Sequence, residues 1–69
     1  MKQTRLIKLK EVINLTALSR SLIYKKMKEG LFPKSVSLGD RAVAWIESEI
    51  EEWIEEIISK RDLTGEQDG

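Results

Sequence analysis

A mainly α-helical fold with one small β-hairpin is what this 69-residue sequence predicts. Three observations carry the prediction. Apolar residues recur at helical spacing in three separate segments. A Gly-Asp pair separates two short alternating runs. A serine, a glycine and a proline stand where the middle helix should begin and end. Such a chain can bury one small core, so a single domain over 6–61 is expected.

The polar stretch Met1 to Arg5 reads as a flexible N-terminus, followed by Leu6 and Ile7 as a brief extended entry. Leu9, Val12 and Ile13 share one helical face and define a first helix over about 9–14. Leu15 to Leu18 form a short connection, after which Ser19 occupies an N-cap position, its hydroxyl able to accept a free backbone N–H of the next turn. The second helix covers about 19–29. Gly30 stops it as the residue that tolerates a left-handed backbone, and Pro33 prevents its resumption.

Lys34 to Leu38 and Arg41 to Trp45 then read as two strands around Gly39-Asp40, a pair suited to a tight hairpin. In that register Leu38 faces Arg41 and Val36 faces Val43. Alternation sets Val36, Leu38, Val43 and Trp45 on the core side and Ser35, Ser37, Ala42 and Ala44 outside. A hairpin of this kind appended to two helices is a wing, here about 34–45, so the architecture expected is a winged helix-turn-helix. The last helix spans about 47–61. Ser48 and Glu51 have capping-box spacing, and Ile50, Trp53, Ile54 and Ile57 form an apolar stripe with Ile46 before it and Ile58 at its margin. Residues 62–69 read as a flexible tail.

Composition excludes several kinds of chemistry. The sequence has no cysteine and no histidine, so neither a disulfide, a thiolate metal site nor a zinc finger can support the fold. The commonest general base and thiol nucleophile are also missing, and no catalysis, cofactor or metal is expected. No apolar run approaches a membrane span, and no secretory signal opens the chain, so a cytoplasmic, nucleoid-associated protein with no membrane partner is expected.

Charge is sharply segregated. Residues 1–44 hold ten basic and three acidic side chains, a net +7, and residues 45–69 hold two basic and nine acidic, a net −7. Six glutamates lie between Glu47 and Glu56, with Lys60 and Arg61 at the far end, a polarity that complements the helix dipole. A cationic helix on a small scaffold, with its acid moved elsewhere, is the footprint of a protein that docks on a polyanion, and double-stranded DNA is the first candidate.

On the second helix Ile23 and Met27 anchor one face, while Ser21, Lys25 and Lys28 cluster opposite. Arg20 and Tyr24 lie between the two faces near the helix start, where a recognition helix presents side chains to base edges. Arginine offers guanine a bidentate fork, so Arg20 is the residue expected to read sequence. Lys25, Lys26 and Lys28 suit phosphates. Arg41 at the wing tip and Lys34 near its base add flanking contacts, and the small outer residues of the hairpin would permit close approach. Each reading has a plainer alternative: solvated surface charges for the lysines and Arg41, and a core-edge role for Tyr24. Leu22 is apolar yet off the Ile23 and Met27 axis, leaving a wing cover, a thymine-methyl contact, or neither. Trp45 and Trp53 sit on apolar faces and read as core.

The ordered set Arg5-Leu6-Ile7, Leu9-Lys10-Glu11-Val12, Leu18-Ser19-Arg20-Ser21, Ile23-Tyr24, Gly30, Phe32-Pro33, Leu38-Gly39, Arg41, Trp45, Ser48-Glu49-Ile50 and Glu52-Trp53-Ile54 resembles the AlpA family of prophage transcriptional regulators over about residues 5–58. That resemblance implies a winged helix-turn-helix shared with MerR-type regulators and phage excisionases. It implies DNA binding near attachment or promoter sites and control of integrase or excision genes. The family's helix start maps onto Ser19, Arg20, Ser21, Tyr24 and Lys25, and its wing onto Lys34 to Trp45. Leu22 departs from the small polar residue common there.

The expected function is therefore sequence-specific duplex binding by a regulator of a prophage or integrated element. Further protomers on adjacent sites, integrase and RNA polymerase are the candidate partners. Two alternatives stand beside it: an excisionase-like architectural factor, and a protein-interaction adaptor using the acidic C-terminal helix.

Overall fold

The computed structural model describes residues 4–64, in the order β1 (Leu6–Ile7), α1 (Leu9–Thr16), α2 (Arg20–Lys28), β2 (Val36–Gly39), β3 (Ala42–Ile46) and α3 (Glu47–Thr64). The three strands form an antiparallel sheet in the order β1-β3-β2. Three helices on so small a sheet make a mainly α winged helix-turn-helix, with the β2–β3 hairpin as the wing. Of the ends expected to be flexible, residues 1–3 and 65–69 lie outside the described residues, and residues 62–64 belong to α3.

Arg5, expected to be loose, is held at both its backbone and its side chain. Its carbonyl accepts the Glu47 N–H at 2.8 Å, and its guanidinium meets Glu47 Oε2 at 3.0 Å. Next to it, β1 pairs with β3 as Leu6 to Ile46 and Ile7 to Trp45. The extended entry is thus a third strand, and β3 is the central one. Helix α3 follows β3 with no intervening loop, so Ser48 lies inside its first turn and not at the cap position expected for it; the Arg5 carbonyl supplies the partner for the Glu47 N–H instead.

Helix α1 runs two residues beyond its expected end. The Thr16 hydroxyl donates to the Val12 carbonyl at 2.8 Å and accepts the Leu18 N–H at 3.2 Å. Ala17 then takes a left-handed conformation (φ 64°), with its N–H on the Ile13 carbonyl at 2.9 Å.

The wing departs from the expected register. Its two turn residues are Asp40 and Arg41, not Gly39 and Asp40, and the cross-strand partners are Val36 with Ala44, Ser37 with Val43 and Gly39 with Ala42. Asp40 and Arg41 both have positive φ (47° and 68°), the requirement of a type I′ turn at its two central positions. Gly39 (φ 95°) absorbs an irregularity between it and Ser37. The faces of β3 are not exchanged: Trp45 is buried and Val43 packs on the core as expected, but Ala44, expected outside, is buried too, because β3 is the central strand and both its faces are covered. Leu38, expected in the core, is 46% exposed beside the irregularity at Gly39.

Ile7, Val12, Ile23, Phe32, Trp45 and Ile50 form the core, with Leu9, Ile13, Leu18, Met27, Val43, Trp53 and Ile54 packed against it. Each fully buried large side chain contributes about 1.5–3 kcal/mol. Among the described residues no polar side chain is buried, so the fold rests on apolar packing. Ile57 corrects the expected stripe. It keeps the sequence spacing but is 46% exposed, because α3 extends beyond the core that Ile50, Trp53 and Ile54 contact.

The two tryptophans fasten the segment between α2 and the wing. Trp45 Nε1 donates to the Pro33 carbonyl at 3.2 Å, and Trp53 Nε1 donates to the Leu31 carbonyl at 2.8 Å. Phe32 packs edge-on against Trp53 at 4.8 Å between centroids. This segment sets the position of the wing relative to α2.

Candidate nucleic-acid interface

Helix α2 is terminated by its own sequence at both ends. Ser19 Oγ accepts the Leu22 N–H at 3.2 Å. At the other end Leu31 N–H donates to the Lys26 carbonyl at 2.8 Å and Gly30 N–H to the Met27 carbonyl at 3.1 Å, the paired bonds of a Schellman motif. Gly30 has φ 76°, as that motif requires. The helix is thereby nine residues long and presents a defined outer face.

Ile23 is fully buried and Met27 packs beside it. Opposite them Ser21, Lys25 and Lys28 are exposed, within roughly 60° of one another at about 100° per residue. Lys25 Nζ lies 3.2 Å from Glu29 Oε2, one turn along the same helix. Among the described residues neither Lys25 nor Lys28 forms an ion pair with a glutamate of α3. Leu22 is 37% exposed, so it does not cover the wing as part of the core.

Arg20 and Tyr24 lie one turn apart near the start of α2. The Arg20 guanidinium carbon is 6.0 Å from the Tyr24 ring centroid. Tyr24, 39% exposed, meets buried Trp45 edge-on at 6.3 Å with a 65° interplanar angle. Tyr24 thus has the core-edge environment that was its plainer alternative, and it also touches the arginine expected to read bases.

The remaining cations fall in two places. Arg41 is exposed at the wing tip, in the type I′ turn. Lys26 and Lys34 are brought together elsewhere, along an open groove between the 30–34 segment and α3 that Lys60, Glu49, Glu52 and Glu56 also line. Lys26 therefore does not share the outer face of Lys25 and Lys28. Of the other α3 carboxylates, Glu47 pairs with Arg5, and Glu51 and Glu55 are exposed. Two contributors escaped the sequence reading: Glu29, whose partner spacing i, i+4 from Lys25 was a usable signal, and Trp45 as the seat of Tyr24, for which no local signal exists.

Fold and surface together define a winged helix-turn-helix with a cationic second helix. The chain belongs to the family of the prophage CP4-57 regulatory protein (AlpA), whose model matches residues 5–58. It is 38% identical over 56 residues to the DNA-binding transcriptional activator AlpA of Escherichia coli (strain K12), covering 72% of this chain and 80% of that protein. It is also 46% identical over 52 residues to the uncharacterized protein ORF88 of Enterobacteria phage P4. That match covers 75% of this chain but only 59% of the phage protein's length. No helix among the described residues is long and apolar enough to cross a membrane.

Proposed function

We propose that this protein is a sequence-specific double-stranded DNA-binding regulator of transcription in a prophage or integrated mobile element, controlling integrase or excision genes. One observation carries the reading: the outer face of α2 presents Ser21, Lys25 and Lys28 with Arg20 at its edge, and among the described residues no ion pair ties these lysines to the acidic α3. A phosphate-facing surface gains directly from having negative charge moved to another element. In this reading α2 enters the major groove, Arg20 reads a guanine, and Lys25 and Lys28 hold phosphates. Ser19 and Ser21 stand at the helix start beside the backbone, and Arg41 reaches a flanking phosphate or the minor groove from the wing. Lys26 and Lys34 contribute long-range attraction from the side of the site. Membership of a family that includes an AlpA activator supports the regulatory role.

One module of this size buries only about 600–1,000 Å² on DNA, which favours several protomers on adjacent sites. The test is binding to duplex fragments from a candidate attachment or promoter region, with footprinting. Lys25→Glu combined with Lys28→Glu should abolish occupancy in a protein that still folds, with Tm lowered by several degrees because acid replaces base in the last turn of α2 and beside Glu29. Retained occupancy would overturn the reading and direct attention to the acidic face of α3.

A further inference from the structure

We propose that Tyr24 is a positioning residue for Arg20, holding the guanidinium at the start of α2 before DNA arrives; this rests on the reading that α2 enters the major groove. Four groups stand in contact from the interior to the surface. The Pro33 carbonyl accepts from Trp45 Nε1 at 3.2 Å, which fixes the indole's orientation in the core. Trp45 is fully buried on the central strand, and Tyr24 packs edge-on against it at 6.3 Å. The Arg20 guanidinium lies over the Tyr24 ring at 6.0 Å.

The consequence follows from what an arginine loses on binding. A free arginine side chain explores many rotamers, and ordering it at an interface subtracts from affinity. An aromatic ring held by the core restricts that search in advance. A guanidinium held over a ring face makes no hydrogen bond to the ring, so its N–H fork stays available for the bidentate partner that guanine provides. The 6.0 Å separation sits at the outer limit for a cation–π contact, so the ring guides the guanidinium without withholding it. Only the ring is needed for this role, and no hydroxyl contact enters it.

The experiment has two arms. In the first, a duplex is selected from a random pool by the wild-type protein. Affinity is then measured on that duplex and on variants with each guanine replaced, for wild type, Arg20→Ala, Tyr24→Phe, Tyr24→Leu and the Arg20→Ala/Tyr24→Leu double variant. Arg20→Ala should abolish discrimination at one guanine. Tyr24→Leu should lower discrimination at that guanine about 2- to 5-fold, with the salt dependence unchanged. Tyr24→Phe should stay within about twofold of wild type, and Tyr24→Leu should add almost nothing in the Arg20→Ala background. In the second arm, NMR relaxation of Arg20 Nε in the free protein should show greater mobility in Tyr24→Leu and not in Tyr24→Phe.

Equal losses from Tyr24→Leu with and without Arg20, or a Tyr24→Phe variant as impaired as Tyr24→Leu, overturn the positioning role while leaving the recognition helix intact. An Arg20→Ala variant that still discriminates at every guanine overturns base reading by Arg20, and the positioning role with it. Unchanged Arg20 mobility in Tyr24→Leu overturns the preorganisation itself, whatever the binding data show.

Discussion

Trp53 donates its indole N–H to the Leu31 carbonyl at 2.8 Å, so the last helix is tied to the segment that leaves α2. Phe32 packs on the same indole. The acidic helix thereby sets the position of the 30–34 segment, and through it the relation between α2 and the wing. Trp53→Phe removes the hydrogen bond but keeps an aromatic ring, and is expected to cost about 1–2 kcal/mol. For a domain of this size each kilocalorie lowers Tm by roughly 4–8 °C. Ile57→Ala, at a position with the same sequence periodicity but outside the core, should change stability by less than about 0.5 kcal/mol. Calorimetry on the two variants checks the contrast.

Arg41 occupies a left-handed position at the wing tip, a conformation that costs a non-glycine residue roughly 1–2 kcal/mol. Type I′ turns prefer Asp-Gly, and Asp40 already supplies the first residue. Arg41→Gly should therefore stabilise the fold by about 0.5–1 kcal/mol and weaken duplex binding at the same time. Chemical denaturation and a binding titration on one preparation measure both. A loss of stability would show that the arginine side chain braces the wing itself.

Glu29 sits 3.2 Å from Lys25 and competes with any phosphate for it. Both side chains are substantially exposed, so the pair contributes little to stability. Glu29→Gln should tighten DNA binding about two- to fivefold at low salt, an advantage that disappears as screening rises, with an unchanged melt. Fluorescence anisotropy at two salt concentrations reads it, and weaker binding by the variant would contradict a phosphate role for Lys25.

How far the sequence could be read depended on whether the determinant was local. Helix α2 was legible at both ends because Ser19 and Gly30 act on backbone groups within a few residues of themselves. The wing was legible as a hairpin but not in register. Gly39-Asp40 and Asp40-Arg41 differ by one residue, and an arginine in a left-handed turn carries no turn signal. Leu38 was misassigned beside that irregularity, and Ala44 because nothing local reveals that β3 is a central strand covered on both faces. Leu6 and Ile7 were legible as extended, but not their pairing with β3, whose partners lie some forty residues away. Ile57 shows the converse: its periodicity is real, but periodicity says nothing about where the opposing core ends. At the site, the outward set Ser21, Lys25 and Lys28 followed from helical geometry alone. The separation of Lys26 from it depended on where α3 lies, and the seating of Tyr24 on Trp45 depended on the sheet.

The salt dependence of duplex binding tests most directly whether the cationic helix and wing tip meet phosphates together. Lys25, Lys28 and Arg41 are the candidate phosphate contacts, with Lys26 and Lys34 set to the side, and engagement of about three gives a slope of log K against log salt of about −3 per protomer. A slope near zero would contradict a phosphate-facing surface on α2 and the wing.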